Sequence, residues 1–156
     1  MKTNTAATRL EELGLELPAP TAAVANYLPF VLEDGWIYVS GQLPLVEGQL
    51  TCRGLVGADV TIEEAYQAAR RCALQALALI GQAAGNLDNV RIVRVGGFVA
   101  SAPGFFDQPK VINGASDLFV EILGDLGKHA RAAVGVAGLP LGAAVEVEVL
   151  ARVLDD

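Results

Sequence analysis

An α+β domain, a mixed β-sheet with two helices on one face, is the fold class that this sequence predicts, and three observations carry it. Asp34-Gly35 lies between two short apolar runs, the strongest short-range signal for an antiparallel hairpin. Two segments of helical period, about 61–84 and 110–124, alternate with strand-like runs,. The resulting order ββ, α, β, α, ββ lays both helices on one sheet face and leaves the opposite face in need of cover. Self-association is the expected cover.

Taken in order, Thr8 to Gly14 reads as a short helix with a threonine cap and a terminal glycine,. A proline-containing irregular segment separates it from strands at 30–33 and 36–40. Thr61-Ile62-Glu63-Glu64 matches a capping box, and Ala65, Ala69, Cys72, Ala76 and Ile80 then recur at helical spacing until Gly85-Asn86,. Val90 to Val99 reads as one long strand interrupted at Gly96-Gly97, where a bulge is expected,. Ala102 to Pro109 reads as a loop, and the second helix closes at Gly124. Ala132 to Val136 and Ala144 to Leu150 flank the turn-forming Ala137 to Gly142 and read as a closing hairpin,.

With 156 residues, 53% of them hydrophobic, the chain suits one compact domain over 1–156, residues 1–26 being an N-terminal extension. The low charged fraction of 19% and positive mean hydropathy favour a homo-oligomer that buries apolar surface between copies. A net charge of −7 disfavours nucleic acid, whose affinity comes largely from lysine and arginine at phosphates. Arg70-Arg71, the adjacent basic pair, is expected on a solvated helix face,. No apolar run suits a membrane helix, and Thr3, Asn4 and Thr5 stand where a secretory core would be apolar, so a cytoplasmic protein is expected,. Cys52 and Cys72 lack metal-ligand spacing and there is a single histidine, so free thiols and no metal site are expected.

The chemical signal lies in the last quarter. If the closing strands pair, Arg131 and one of the carboxylates Glu146 and Glu148 flank a shared pocket wall. An arginine fork holds a carboxylate in a fixed plane, and a nearby glutamate orients or deprotonates a water. That combination is hydrolytic chemistry on a small acid. Glu146 and Glu148 also alternate with Val145, Val147 and Val149, so a solvated outer face accounts for both without catalysis.

Ser40-Gly41-Gln42, Val111-Ile112-Asn113-Gly114, Ala130-Arg131 with Val134, and Leu139-Pro140 followed by Val145-Glu146-Val147-Glu148 together resemble the reactive-intermediate deaminase family, RidA/YjgF, over about Tyr27 to Val153. The resemblance implies a chorismate-mutase-like α+β subunit, a homotrimer and clefts at the subunit interfaces. It further implies hydrolysis of 2-imino or 2-enamino acids such as 2-aminoacrylate to 2-keto acids and ammonia, with no cofactor. Arg131 would clamp the substrate carboxylate and Glu146 would hold or activate the water. Tyr27, Ser40 and Asn113 would line the cleft.

Ala133 stands where well-studied deaminases often carry a cysteine, and the N-terminal extension, the segment Thr51 to Val60 and the loop Ala102 to Pro109 resemble a longer-chain subgroup. Phe105 and Phe106 either narrow the cleft or pack against their own subunit. Arg131 as an interface ion pair, Tyr27 as an interface aromatic and Asn113 as a helix cap or turn residue are the plainer readings. His129, two residues before Arg131, is a poor candidate for the base. Ser40 has no histidine near it in sequence and suits a hydrogen-bond donor better than a nucleophile,. Two other functions stay open: a trimer that binds small carboxylates without turnover, and an endoribonuclease or translation inhibitor.

Overall fold

A computed structural model describes residues 4–20 and 25–154. Its main sheet is built from β1 (Phe30–Glu33), β2 (Trp36–Gln42), β5 (Val90–Ala100), β6 (Ala130–Val136) and β7 (Val145–Val153), in the spatial order β1-β2-β7-β5-β6. β3 (Leu45–Val46) and β4 (Gln49–Leu50) form a separate small hairpin. Three α-helices accompany the sheet: α1 (Ala6–Glu12), α2 (Ile62–Ala84) and α3 (Gln108–Leu123).

Local chemistry explains most boundaries. Asp34 and Gly35 take φ of 49° and 78°, the left-handed pair that a two-residue hairpin turn needs, and β1 pairs β2 with Glu33 opposite Trp36,. The Thr61 side chain accepts from the Glu64 amide at 3.2 Å while Glu64 accepts from the Thr61 amide at 2.8 Å, completing the expected capping box on α2,. In α1 the cap is Thr5 rather than Thr8, one turn earlier than the sequence reading, and Ala6 and Leu10 enter the core. α3 begins at Gln108 with Pro109 in its first turn, so the loop after β5 is shorter than expected. Asn113 is therefore inside a helix, neither its cap nor a turn residue.

The closing segments do not form a hairpin. β6 pairs in parallel with β5, from Arg94 opposite Ala130 to Ala100 opposite Val136, and β7 pairs antiparallel with the other side of β5. Helix α3 is the crossover that parallel strands require. The turn-rich link after β6 then steps across one strand instead of joining neighbours, which its length allows and a tight turn would not. Gly96 and Gly97 continue the ladder without a bulge; the irregularity lies between Ile92 and Arg94. Their missing side chains leave room instead, Gly96 for the Glu148 side chain and Gly97 for Ile112 of α3,.

Ile37, Val39, Val95, Val99, Val145, Val147, Val149 and Ala151 are buried against the helices, where Leu77 and Ile80 of α2 and Ile112, Phe119 and Ile122 of α3 complete one core. Gly114 lets α3 lie directly on the backbone of α2, since a Cβ there would collide with the Tyr66 carbonyl. Arg70 and Arg71 are not a solvated pair. Arg70 forks onto Glu121 of α3 at 3.1 and 2.8 Å, and Arg71 Nε donates to the Leu45 carbonyl at 2.6 Å. Cys72 is buried and Cys52 partly so, both as free thiols, and burial raises both above the ordinary thiol range. Among the described residues no helix lies on the other sheet face, and Val31, Tyr38 and Val134 stay substantially exposed. Among the described residues no helix is long and apolar enough to cross a membrane.

Candidate functional site

The strand pairing decides which candidate residues meet. Arg131 is opposite Val95, whose side chain is buried under the helices, so its own side chain leaves β6 on the helix side of the sheet. Glu146 is opposite Phe98 and alternates with the buried Val145 and Val147, so it leaves β7 on the open side. With β5 between their strands, the two are separated by roughly 10 Å of sheet width as well as by its thickness. The expected meeting of Arg131 and Glu146 across a hairpin does not occur within one chain.

Around Arg131, at the sheet edge, α3 supplies the partners. Arg131 Nη1 donates to Ser116 Oγ at 3.1 Å and Nη2 to the Pro109 carbonyl at 3.2 Å. The guanidinium has more N–H groups than these two bonds use, so a carboxylate can still be held by two parallel hydrogen bonds. Asn113 falls on the same helix face as Pro109 and Ser116 by its spacing and is exposed,. Ala133 follows Arg131 on the same side of β6 and packs partly against the core.

His129 does not offer a free base to this edge. Its Nδ1 donates to the Gly127 carbonyl at 2.6 Å, and its Nε2 lies 2.9 Å from Ser116 Oγ. The Phe119 ring stands edge-on to it at 5.8 Å. Burial, with the Arg131 charge adding to it, lowers the His129 pKa against the opposing pull of the Gly127 hydrogen bond, so the ring is neutral at physiological pH.

The second group lies on the open face. The ladder between β2 and β7 shifts at Ser40-Gly41, a bulge that re-aims the strand, and the Glu146 carboxyl group fills the place where a Gly41 side chain would stand. Burial first, and the neighbouring Glu148 charge second, raise the Glu146 pKa, which strengthens it as a base near neutral pH. Ser40 Oγ donates to the Leu28 carbonyl at 2.6 Å. That bond ties it to the loop carrying Tyr27, which is 52% exposed. A shallow depression of about 350 Å³ beside them is lined by Tyr38, Ser40, Arg94, Gly96 and Glu148. Arg94 approaches Glu148 at 4.0 Å.

The candidate residues thus form two half-sites, Arg131 with Asn113 at the β6 edge and Ser40 with Glu146 on the open face, with Tyr27 in the loop that Ser40 ties down. Ser116 and Arg94 are not among the site residues that the sequence predicts. Ser116 is within reach of the sequence pattern, standing one helical turn after Asn113, whereas Arg94 needs the register of β5. The aromatic pair divides: Phe105 packs against the core, its ring over Gly57, while Phe106 is 84% exposed.

A mixed sheet with its helices on one side defines a chorismate-mutase-like α+β protein. Residues 7–153 match the family described as YjgF/chorismate mutase-like, putative endoribonuclease, and the chain belongs to that family. It is 47% identical to Protein TCP17 of Trypanosoma cruzi over 92% of this chain and 91% of that protein. Among solved structures, the protein Atu1372 of Agrobacterium tumefaciens is 44% identical with a TM-score of 0.87, covering 96% of this chain and 92% of that one. A protein of Shewanella oneidensis titled a putative endoribonuclease is 37% identical with a TM-score of 0.92, covering 96% and 99%.

Proposed function

We propose that this protein hydrolyses 2-imino and 2-enamino acids, such as 2-aminoacrylate, to 2-keto acids and ammonia, in a cleft where two copies meet within a trimer. The observation that carries the proposal is Arg131, braced by Ser116 and Pro109 yet with N–H groups to spare. A guanidinium so held is suited to a planar carboxylate.

The division into half-sites supports a cleft between subunits. The glutamate that would serve Arg131 is across the sheet in its own chain, so a second copy must present its open face, with Ser40, Gly41 and Glu146, to the β6 edge. The exposed Val31, Tyr38 and Val134 are the apolar surface such packing would cover,. An enamine substrate first tautomerises to its imine. Water then adds to the imine carbon, losing a proton to Glu146 as the C–O bond forms and the nitrogen takes up a proton. Collapse of the carbinolamine breaks the C–N bond as Glu146 returns its proton to the nitrogen and the hydroxyl proton passes to solvent, which releases ammonia and leaves the keto acid. The imine carbon is already electrophilic, so pinning the substrate and placing the water supply useful acceleration by orientation.

The test generates 2-aminoacrylate from serine with a dehydratase and follows trapping of the imine by semicarbazide. Wild-type protein should suppress trapping and Arg131→Ala should not. Suppression by neither would reject turnover of this substrate, and calorimetric titration with pyruvate would then test the non-catalytic carboxylate-binding alternative. The endoribonuclease named for relatives would show as RNA binding that weakens steeply with salt. A net charge of −7 weighs against it.

A further inference from the structure

An arginine on an edge strand recognises a carboxylate well only if its guanidinium plane is held in one orientation, because the two hydrogen bonds must form together. In this fold a directed chain of hydrogen bonds reaches that plane from below. The Gly127 carbonyl can only accept, so the contact of 2.6 Å makes His129 Nδ1 the protonated nitrogen,. The neutral ring then presents Nε2 as a bare acceptor. Ser116 Oγ, 2.9 Å away, must donate its proton to Nε2, which leaves the hydroxyl lone pairs to accept from Arg131 Nη1 at 3.1 Å. Each donor direction follows from the one before, and none can be reversed while the ring is neutral. The edge-on Phe119 ring holds the imidazole itself, and the Pro109 carbonyl takes Nη2.

We infer that Ser116 and His129 are positioning residues, which set the plane of the Arg131 guanidinium for the carboxylate of the ligand. The inference rests on the reading of Arg131 as the carboxylate clamp. Neither residue touches the reacting atoms. His129 is thereby assigned as a fixed acceptor whose ring nitrogens are both committed, which explains a half-buried imidazole beside an arginine better than a base role does. Ser116 converts that acceptor into one the guanidinium can use.

The experiment measures pyruvate binding by calorimetry, with imine deamination kinetics and thermal stability alongside. Wild type is compared with Ser116→Ala, Ser116→Thr, His129→Phe, His129→Gln and Arg131→Ala. Ser116→Ala should weaken pyruvate about tenfold and raise KM more than it lowers kcat, as loss of one hydrogen bond to a charged group would. Ser116→Thr, which keeps the hydroxyl, should restore binding. His129→Gln offers an oxygen acceptor and should bind pyruvate more tightly than His129→Phe, which fills the space without one. This second contrast decides the matter if Ser116→Ala does not fold. Wild-type affinity in Ser116→Ala, or equal affinity in the two His129 variants, overturns the inference while Arg131→Ala still loses binding. Wild-type affinity in Arg131→Ala would instead overturn the clamp itself.

Discussion

The carboxyl group of Glu146 lies over the bare Cα of Gly41, in the volume that any side chain at that position would need. A glycine that bulges out of β2 is thus the seat of the glutamate on β7. The packing is side chain on backbone across neighbouring strands, so it ties the geometry of the proposed base to a single missing methyl group.

Gly41→Ala should therefore move Glu146 without dismantling the fold. The obstructed atoms are the far end of a half-buried side chain, which can swing aside, so stability should change by no more than about 1 kcal/mol. A displacement of about 1 Å at a group that places the water should cost about a hundredfold in kcat. Steady-state deamination rates set beside chemical denaturation check both halves; an unchanged rate would remove Glu146 from the mechanism.

Gly114→Ala should behave in the opposite way. Here the obstacle is the Tyr66 carbonyl, backbone of the facing helix, which cannot rotate away. Forcing α2 and α3 apart should destabilise by about 1–3 kcal/mol, read as a lower urea midpoint.

Glu148→Gln should shift the pH dependence of the reaction. The Glu146 pKa is raised by burial first and by Glu148 second, so removing the Glu148 charge leaves the first cause and lowers the value only in part. The acidic limb of the rate profile should move toward lower pH. For stability, a carboxyl whose folded pKa is raised contributes most below its unfolded value of 4.5, and that contribution fades as pH rises through the folded value. The difference in stability between wild type and Glu148→Gln should widen in favour of the variant across that interval. A rate profile identical in the two proteins would contradict the coupling.

His129 should leave a signature of the other sign. Its folded pKa is depressed below 6.5, by burial and then by Arg131, so the unfolded chain binds the proton more readily. Stability from this group is complete above about pH 6.5 and is lost as pH falls through the folded value. Melting temperatures recorded from neutral pH down to about 5 should fall more steeply for wild type than for His129→Phe. Parallel curves would mean that the half-buried imidazole is not shielded from water as described.

Local signals were legible wherever a few neighbouring residues decide the conformation. Asp34-Gly35 produced its hairpin, and Thr61 with Glu64 produced the cap of α2, because in each case the chemistry is complete within one turn of chain. The closing segments misled for the corresponding reason. Two β-branched runs around Ala137 to Gly142 look alike whether they pair with each other or flank a third strand. What excluded the hairpin was β5, about forty residues upstream, whose two edges both found partners. Gly96 and Gly97 read as a bulge because a glycine pair in a strand usually marks an irregular ladder, yet here their purpose is steric and depends on Glu148 and Ile112.

By itself the sequence determined the α+β class, the extent of α2, the alternation of Val145, Val147 and Val149 with Glu146 and Glu148 and, through its motifs, Arg131, Glu146, Tyr27, Ser40 and Asn113 as the residues to examine. Residue type and spacing suffice for those, since periodicity and capping are short-range. Tertiary structure alone decided that Arg131 and Glu146 leave opposite faces of the sheet, that Ser116 and His129 stand behind the guanidinium, and that Arg70 and Arg71 clamp the fold rather than face water. Such relationships depend on strand order and register, and a single residue of register or one inserted strand reverses which side chains share a face.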